Sequence, residues 1–166
     1  MIPKQFITLG TLHLDPKYFF QICNRPFSNK PVGGLWASPY IEDEKFCSDW
    51  HRWCIENSFS TGDNSKGVLF NISDSARIAI IDSEEDLVAL CSAYPKQEIY
   101  SFSFNRTIDY EKMAMDYDGI FLTSKGEIRT RFSMECNLYG WDCESLLIFN
   151  YSIIEQAQPI HITSSH

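Results

Sequence analysis

The sequence has no apolar run approaching the roughly 20 residues that span a bilayer. Its first residues, Met1-Ile2-Pro3-Lys4-Gln5-Phe6, lack the charged, apolar and small-residue succession of a secretory signal. These absences point to a cytoplasmic protein with no membrane attachment. There is no Cys-x-x-Cys pair. Cys47 and Cys54 lie seven apart, as do Cys136 and Cys143, and neither pair has histidine at zinc-finger spacing. The expectation is therefore six buried free thiols and no metal, because an unpaired cysteine behaves as a small hydrophobe. Phosphate-binding Gly-x-x-x-x-Gly-Lys-Ser/Thr, Gly-x-Gly-x-x-Gly, His-Glu-x-x-His and Gly-x-Ser-x-Gly are all missing. Histidine occurs only at 13, 51, 161 and 166, so a histidine-centred site is poorly supplied. His51 lies one residue past Trp50 on a predicted helix and is expected to be exposed.

What is present is material for one core: 44% hydrophobic and 14% aromatic residues in 166, within the size of a single domain. Basic and acidic residues cancel over residues 1–80, eight against eight. Residues 81–166 carry six basic and fourteen acidic side chains, hence the whole net charge of -8. Such a field repels nucleic-acid phosphates and suits a basic protein partner, although solubility alone also accounts for it.

Along the chain, Gln5–Leu9 reads as a strand. Asp15-Pro16 opens a helix through Tyr18, Phe19 and Ile22. Residues 24–34 are a loop, and Leu35 to Ser38 are a short apolar run. Residues 43–58 form the clearest helix, on the spacing of Phe46, Trp50, Trp53 and Cys54, and a polar loop follows to Lys66. Val68–Phe70 and Ala76–Ile81 are strands. Asp82 with Glu85 resembles a capping box for a helix that Pro95 stops. Ile99–Phe104 is read as a strand, 108–117 as a helix with Met113 inward, 119–123 as a strand, 128–134 as a further strand and 145–150 as a buried strand. Residues 1–155 then make one α+β domain, since strands and helices do not alternate regularly, and 156–166 make a polar tail that frays.

Two segments can carry chemistry. In Lys30 to Tyr40, Gly33 and Gly34 allow close backbone approach, and alternation puts Trp36 and Ser38 on one face. That face offers stacking beside a hydroxyl; a core tryptophan entering a tight turn is the plain alternative. In Leu138 to Ser145, extended geometry from residue 142 puts Asp142 and Glu144 on one face. Two such carboxylates raise at least one pKa unless a cation or donors intervene. They suit acid/base work, stabilisation of a cationic intermediate or the holding of a ribose. Glycosidase chemistry is compatible with them, as is a solvated turn capped by Asp142.

The short first strand, the Gly34-Leu35-Trp36-Ala37-Ser38 strand and Asp142-Cys143-Glu144-Ser145-Leu146-Leu147-Ile148 together resemble the ADP-ribosyltransferase fold, and segments of the chain look like small phage and bacterial proteins. The resemblance implies a mostly antiparallel split sheet with flanking helices. It implies NAD as cofactor, Glu144 stabilising positive charge on the ribose, Ser38 supporting Glu144 and Asp142 selecting the acceptor. Gly34, with Trp36 or Tyr40 stacking on nicotinamide, would line the cofactor site. Where the family carries Arg or His on the first strand, this sequence has Thr8-Leu9-Gly10-Thr11, with His13 beyond. A basic protein target follows from charge, and the resemblance implies a phage effector acting against host defence. Two other readings stand beside it. One is an acidic inhibitor presenting Asp82, Glu84, Glu85, Asp86, Asp109, Glu111, Asp116 and Asp118 to a basic groove. The other is a nucleotide-binding domain without turnover.

Overall fold

A computed structural model describes residues 2–42, 45–97 and 106–162. They form one α+β domain around a mixed seven-stranded sheet. In chain order the elements are β1 (Gln5–Leu9), β2 (Leu35–Pro39), α1 (Asp49–Glu56), β3 (Lys66–Ile72), β4 (Ile78–Ile81) and α2 (Glu84–Ala93). Next come α3 (Tyr110–Asp116), β5 (Gly119–Leu122), α4 (Ser124–Thr130), β6 (Ser145–Ile148) and β7 (Ile154–His161). The strand order is β4-β5-β6-β2-β1-β3-β7. Only β4 and β5 run parallel; every other neighbouring pair is antiparallel. No described helix is long and apolar enough to cross a membrane.

β2 joins the two halves of the sheet. Leu35, Trp36 and Ala37 pair with Ile148, Leu147 and Leu146 of β6. Ser38 and Pro39 pair with Ile7 and Phe6 of β1. Each neighbour therefore leaves β2 where the other takes hold, and the sheet splits there.

Alternation distributes the core. Phe6, Phe70, Phe121, Leu146 and Ile148 fill one face, where Phe6 stacks on Phe70 at 6.3 Å and meets Phe121 edge-on at 5.9 Å. Such aromatic pairs add about 0.5–1.5 kcal/mol beyond burial. On the opposite face Ile120, Leu122 and Leu147 pack under Leu87 and Cys91 of α2 and Met113 of α3. Ile7, Leu9 and Leu69 continue that face beneath Cys47 and Trp50.

Several boundaries differ from those the pattern predicts. Asp15 does cap, accepting from the Lys17 amide, but only a 3₁₀ turn, Pro16–Tyr18, follows; the chain then pairs Cys23 with Val32. α1 begins at residue 49, capped by Ser48. Residues 43–44 of the predicted helix lie outside the described residues, as does the strand read at 99–104. Ser83, not Asp82, caps α2, and Asp86 returns the bond to the Asp82 amide at 3.0 Å. The strand read at 128–134 is absent: Thr123 caps α4, and Gly126 sits so close to the Ile81 carbonyl that no side chain fits. The polar segment from 156 is no frayed tail up to His161. It forms β7, whose largely exposed side chains hid it from a hydrophobicity pattern while its backbone pairs with β3.

Gly34 has φ +65°, and a Cβ there would stand 2.6 Å from the Ile148 carbonyl oxygen. Glycine is thus required where β2 enters its pairing with β6. Gly34→Ala is expected to cost about 2–4 kcal/mol, read as a lower urea midpoint. An unshifted midpoint would contradict the strain.

Candidate functional site

The split opens a pocket of about 350 Å³. Its apolar wall is Leu9, Leu35, Trp36, Trp50, Phe59 and Trp141; Lys30, Thr8, Thr61, Asp142, Cys143 and Ser145 supply polar groups.

One side is built by α1 and the loop after it. Trp50 and Trp53, three residues apart on the helix, stack at 5.1 Å, and Phe59 meets both edge-on at 5.7 and 5.6 Å. Asn64 shapes the loop. Its Oδ1 accepts from the amide and hydroxyl of Thr61 at 3.1 and 2.7 Å, and its Nδ2 donates to the Phe59 carbonyl at 2.7 Å. The loop rests on Gly10, which has φ +88°; a side chain there would overlap the Thr61 carbonyl.

The other side hangs on Asn29. Its Nδ2 donates to the carbonyls of Arg106 and Asn137 at 3.2 and 2.9 Å, and its Oδ1 accepts from the Ile108 amide at 2.8 Å. Its own carbonyl accepts from the Trp141 indole at 2.8 Å and the Tyr110 hydroxyl at 2.7 Å. This fixes buried Trp141, against which Trp36 packs at 4.6 Å between ring centroids.

Asp142 lies between two cations, 3.8 Å from Lys30 Nζ and 3.5 Å from Arg131 Nη2. Arg131 also holds Glu127 at 2.8 Å, which with Asp142 pushes its pKa up. The backbone bends at 143–144 and regular β geometry starts only at Ser145. Asp142 and Glu144 consequently do not share the expected face: Asp142, Cys143 and Ser145 line the pocket and Glu144 does not. Burial raises the Glu144 carboxyl pKa, and the charge of Asp49 adds to this; a hydrogen bond from the Ser124 backbone offsets part of it. The rise therefore comes from desolvation and not from Asp142. Burial pushes the Cys143 thiol up to about 12, so it stays protonated and poorly nucleophilic at neutral pH.

Of the residues singled out in the sequence, Thr8, Trp36 and Asp142 come together in the pocket wall. Ser38 and Glu144 meet differently: fully buried Ser38 donates its hydroxyl to the Glu144 backbone carbonyl at 2.9 Å. Gly34 serves the β2–β6 pairing. Tyr40 packs with Ile7, Leu9 and Leu69. His13 is exposed in a Thr11 turn away from the pocket wall. Trp50, Phe59, Thr61 and Trp141 were not singled out as site residues. In the sequence Trp50 belongs to a helix stripe and Trp141 adjoins Asp142, while nothing local marks Phe59 or Thr61. Among the carboxylates proposed for an acidic face, Asp82, Asp109 and Asp118 are ion-paired with Lys125, Lys112 and Arg77. Asp116 accepts from the Tyr94 hydroxyl. Five thiols are buried or half-buried as expected; Cys23 is exposed, and all six are free.

His51, expected at the surface, is buried: with Cys54 it forms the inward face of α1. Its Nδ1 accepts from the Cys47 amide at 3.3 Å, and its own amide donates to Ser48 Oγ at 3.1 Å. Burial lowers its pKa below the ordinary 6.5. The unfolded chain thus takes up the proton first as pH falls. The stabilisation is complete above pH 6.5 and is lost as pH drops from there through the folded value. Chemical denaturation at pH 7.5 and 5.5 should show this loss in the native protein and a smaller one in His51→Gln. Equal losses in both would assign the effect to other groups.

Comparison with protein-family models, with curated proteins and with solved structures finds no match to this chain.

Proposed function

We propose that the pocket binds the nicotinamide-ribose end of NAD and that the protein is an ADP-ribosyltransferase-like domain acting on a protein target. One observation carries this reading. The pocket opens where the sheet splits, and the first strand, the Gly-Leu-Trp-Ala-Ser strand and the late acidic segment all contribute to its wall. Its volume lies at the low end of the roughly 300–1,000 Å³ of small-molecule sites, which suits one ring and its sugar better than a whole dinucleotide.

The residues fit such a ligand. The nicotinamide ring of NAD is planar and positively charged, and the aromatic wall of Trp36 and Trp50 suits both properties. Thr8, Thr61 and Ser145 supply hydroxyls for amide and sugar groups. NAD supplies a glycosidic bond whose cleavage builds positive charge on the ribose. Glu144, to which the resemblance gives the stabilisation of that charge, stands outside the wall, so the role is reassigned to Asp142, the carboxylate that lines it. Ser38 holds the backbone at Glu144 and so fixes where the segment carrying Asp142 turns into β6. The net charge of -8, borne by residues 81–166, favours a basic protein as the target.

Calorimetry and thermal melting with NAD test the reading. The native protein should bind, Trp50→Ala should bind at least about tenfold more weakly for the loss of one stacking face, and Asp142→Asn should release nicotinamide more slowly by chromatography. A native protein that neither binds NAD nor changes its melting temperature sinks the reading. Binding without nicotinamide release reduces it to nucleotide binding without turnover.

A further inference from the structure

Lys30 occupies a niche at the edge of the pocket. Its stem packs on Gly140, where an added Cβ would meet the Lys30 Cδ and Cβ at 3.4 and 3.5 Å. Its ammonium donates to the Gly140 carbonyl at 2.7 Å, stands 3.8 Å from the Asp142 carboxylate and lies 5.4 Å from the centre of the Trp36 ring. A carbonyl, a carboxylate and an aromatic face together form a recognition set for an alkyl cation.

We propose that this niche is a subsite for the cationic end of a basic side chain, an alkylammonium or alkylguanidinium, and that Lys30 is its tethered occupant, displaced when the incoming cation enters. Three observations support displacement. The Lys30–Asp142 pair is long at 3.8 Å and half-exposed, 38% and 23%, and ion pairs that water reaches hold weakly. Asp142 keeps a second cation, Arg131, when Lys30 leaves. The niche also opens onto the pocket, since Lys30, Trp36 and Asp142 all line it. A flexible four-carbon stem lets Lys30 move while its backbone stays fixed beside the Asn29 hydrogen bonds. Assigning the cation to a protein partner rests on the proposed function; the chemistry of the niche does not.

The test contains no nucleotide, so it reads independently of NAD binding. n-Butylammonium and n-butylguanidinium are titrated at constant ionic strength into the native protein, Lys30→Ala and Lys30→Ala/Asp142→Asn, with n-butanol as the uncharged control. The Trp36 indole signal in ¹⁵N–¹H spectra reports binding. The native protein should bind both cations saturably. Lys30→Ala, freed of its tethered competitor, should bind at least about tenfold more tightly, and the double variant should lose most of that gain. No saturable binding to the native protein would make Lys30 a fixed structural lysine and overturn the proposal. So would equal affinity of native protein and Lys30→Ala, an unaltered affinity in the double variant, or butanol binding as tightly as the cations. If Lys30→Ala does not fold, Lys30→Met keeps the stem and leaves the ammonium position open. Methylammonium then serves as the probe, with the same expected and overturning results.

Discussion

Five residues of β2 set the architecture of the site. A strand can pair on both edges along its whole length, but here β6 takes the first three residues and β1 the last two. Residues 35–37 are thus paired to β6 and residues 38–39 to β1, so the sheet splits at its centre and leaves a gap where each edge of β2 lacks a ladder partner. Side chains fill part of it and the pocket is the remainder. Gly34 is the steric condition for this arrangement, because only a residue without Cβ lets the chain enter β2 against the Ile148 carbonyl.

The two walls of the gap are stabilised by different physics. On the α1 side, stacked aromatic rings and a polar loop folded about Asn64 hold Trp50 and Phe59 in place. On the other, Asn29 satisfies five polar partners from two separate stretches of chain, residues 106–110 and 137–141. A half-buried amide whose two donors and carbonyl oxygen are all engaged is a strong positional constraint. It fixes Trp141 as the wall of the pocket and, through the next residue, the root of Lys30. The carboxylate the pocket presents, Asp142, is then held by two cations and does not face its near neighbour Glu144.

Much of the fold was legible locally. β1, β3, β5 and β6 follow β-branched and apolar runs, α3 follows its periodicity, and α2 follows a capping signal displaced by one residue. Elements that owe their structure to pairing or packing were not. β7 buries little and exists because β3 offers an unpaired edge. α4 replaced an expected strand because Thr123 caps it and Gly126 permits close approach to Ile81. His51 lies inward with Cys54, a choice of helix face made by packing against the sheet and not by the apolar spacing of the helix alone.

The sequence by itself determined that this is one α+β domain, that Trp36 and Ser38 share a face of an early strand, and that an acidic segment precedes a buried late strand. Each follows from chemistry within a few residues of chain: side-chain alternation, capping and hydrophobic runs. Only the tertiary structure decided which of these groups meet. It put Thr8, Trp36 and Asp142 around one pocket, tied Ser38 to a backbone carbonyl of Glu144 and brought Lys30 across more than a hundred residues of chain to Gly140 and Asp142. Those contacts depend on strand register and on where regular β geometry begins. Both are settled by pairing between distant segments, which no local pattern records.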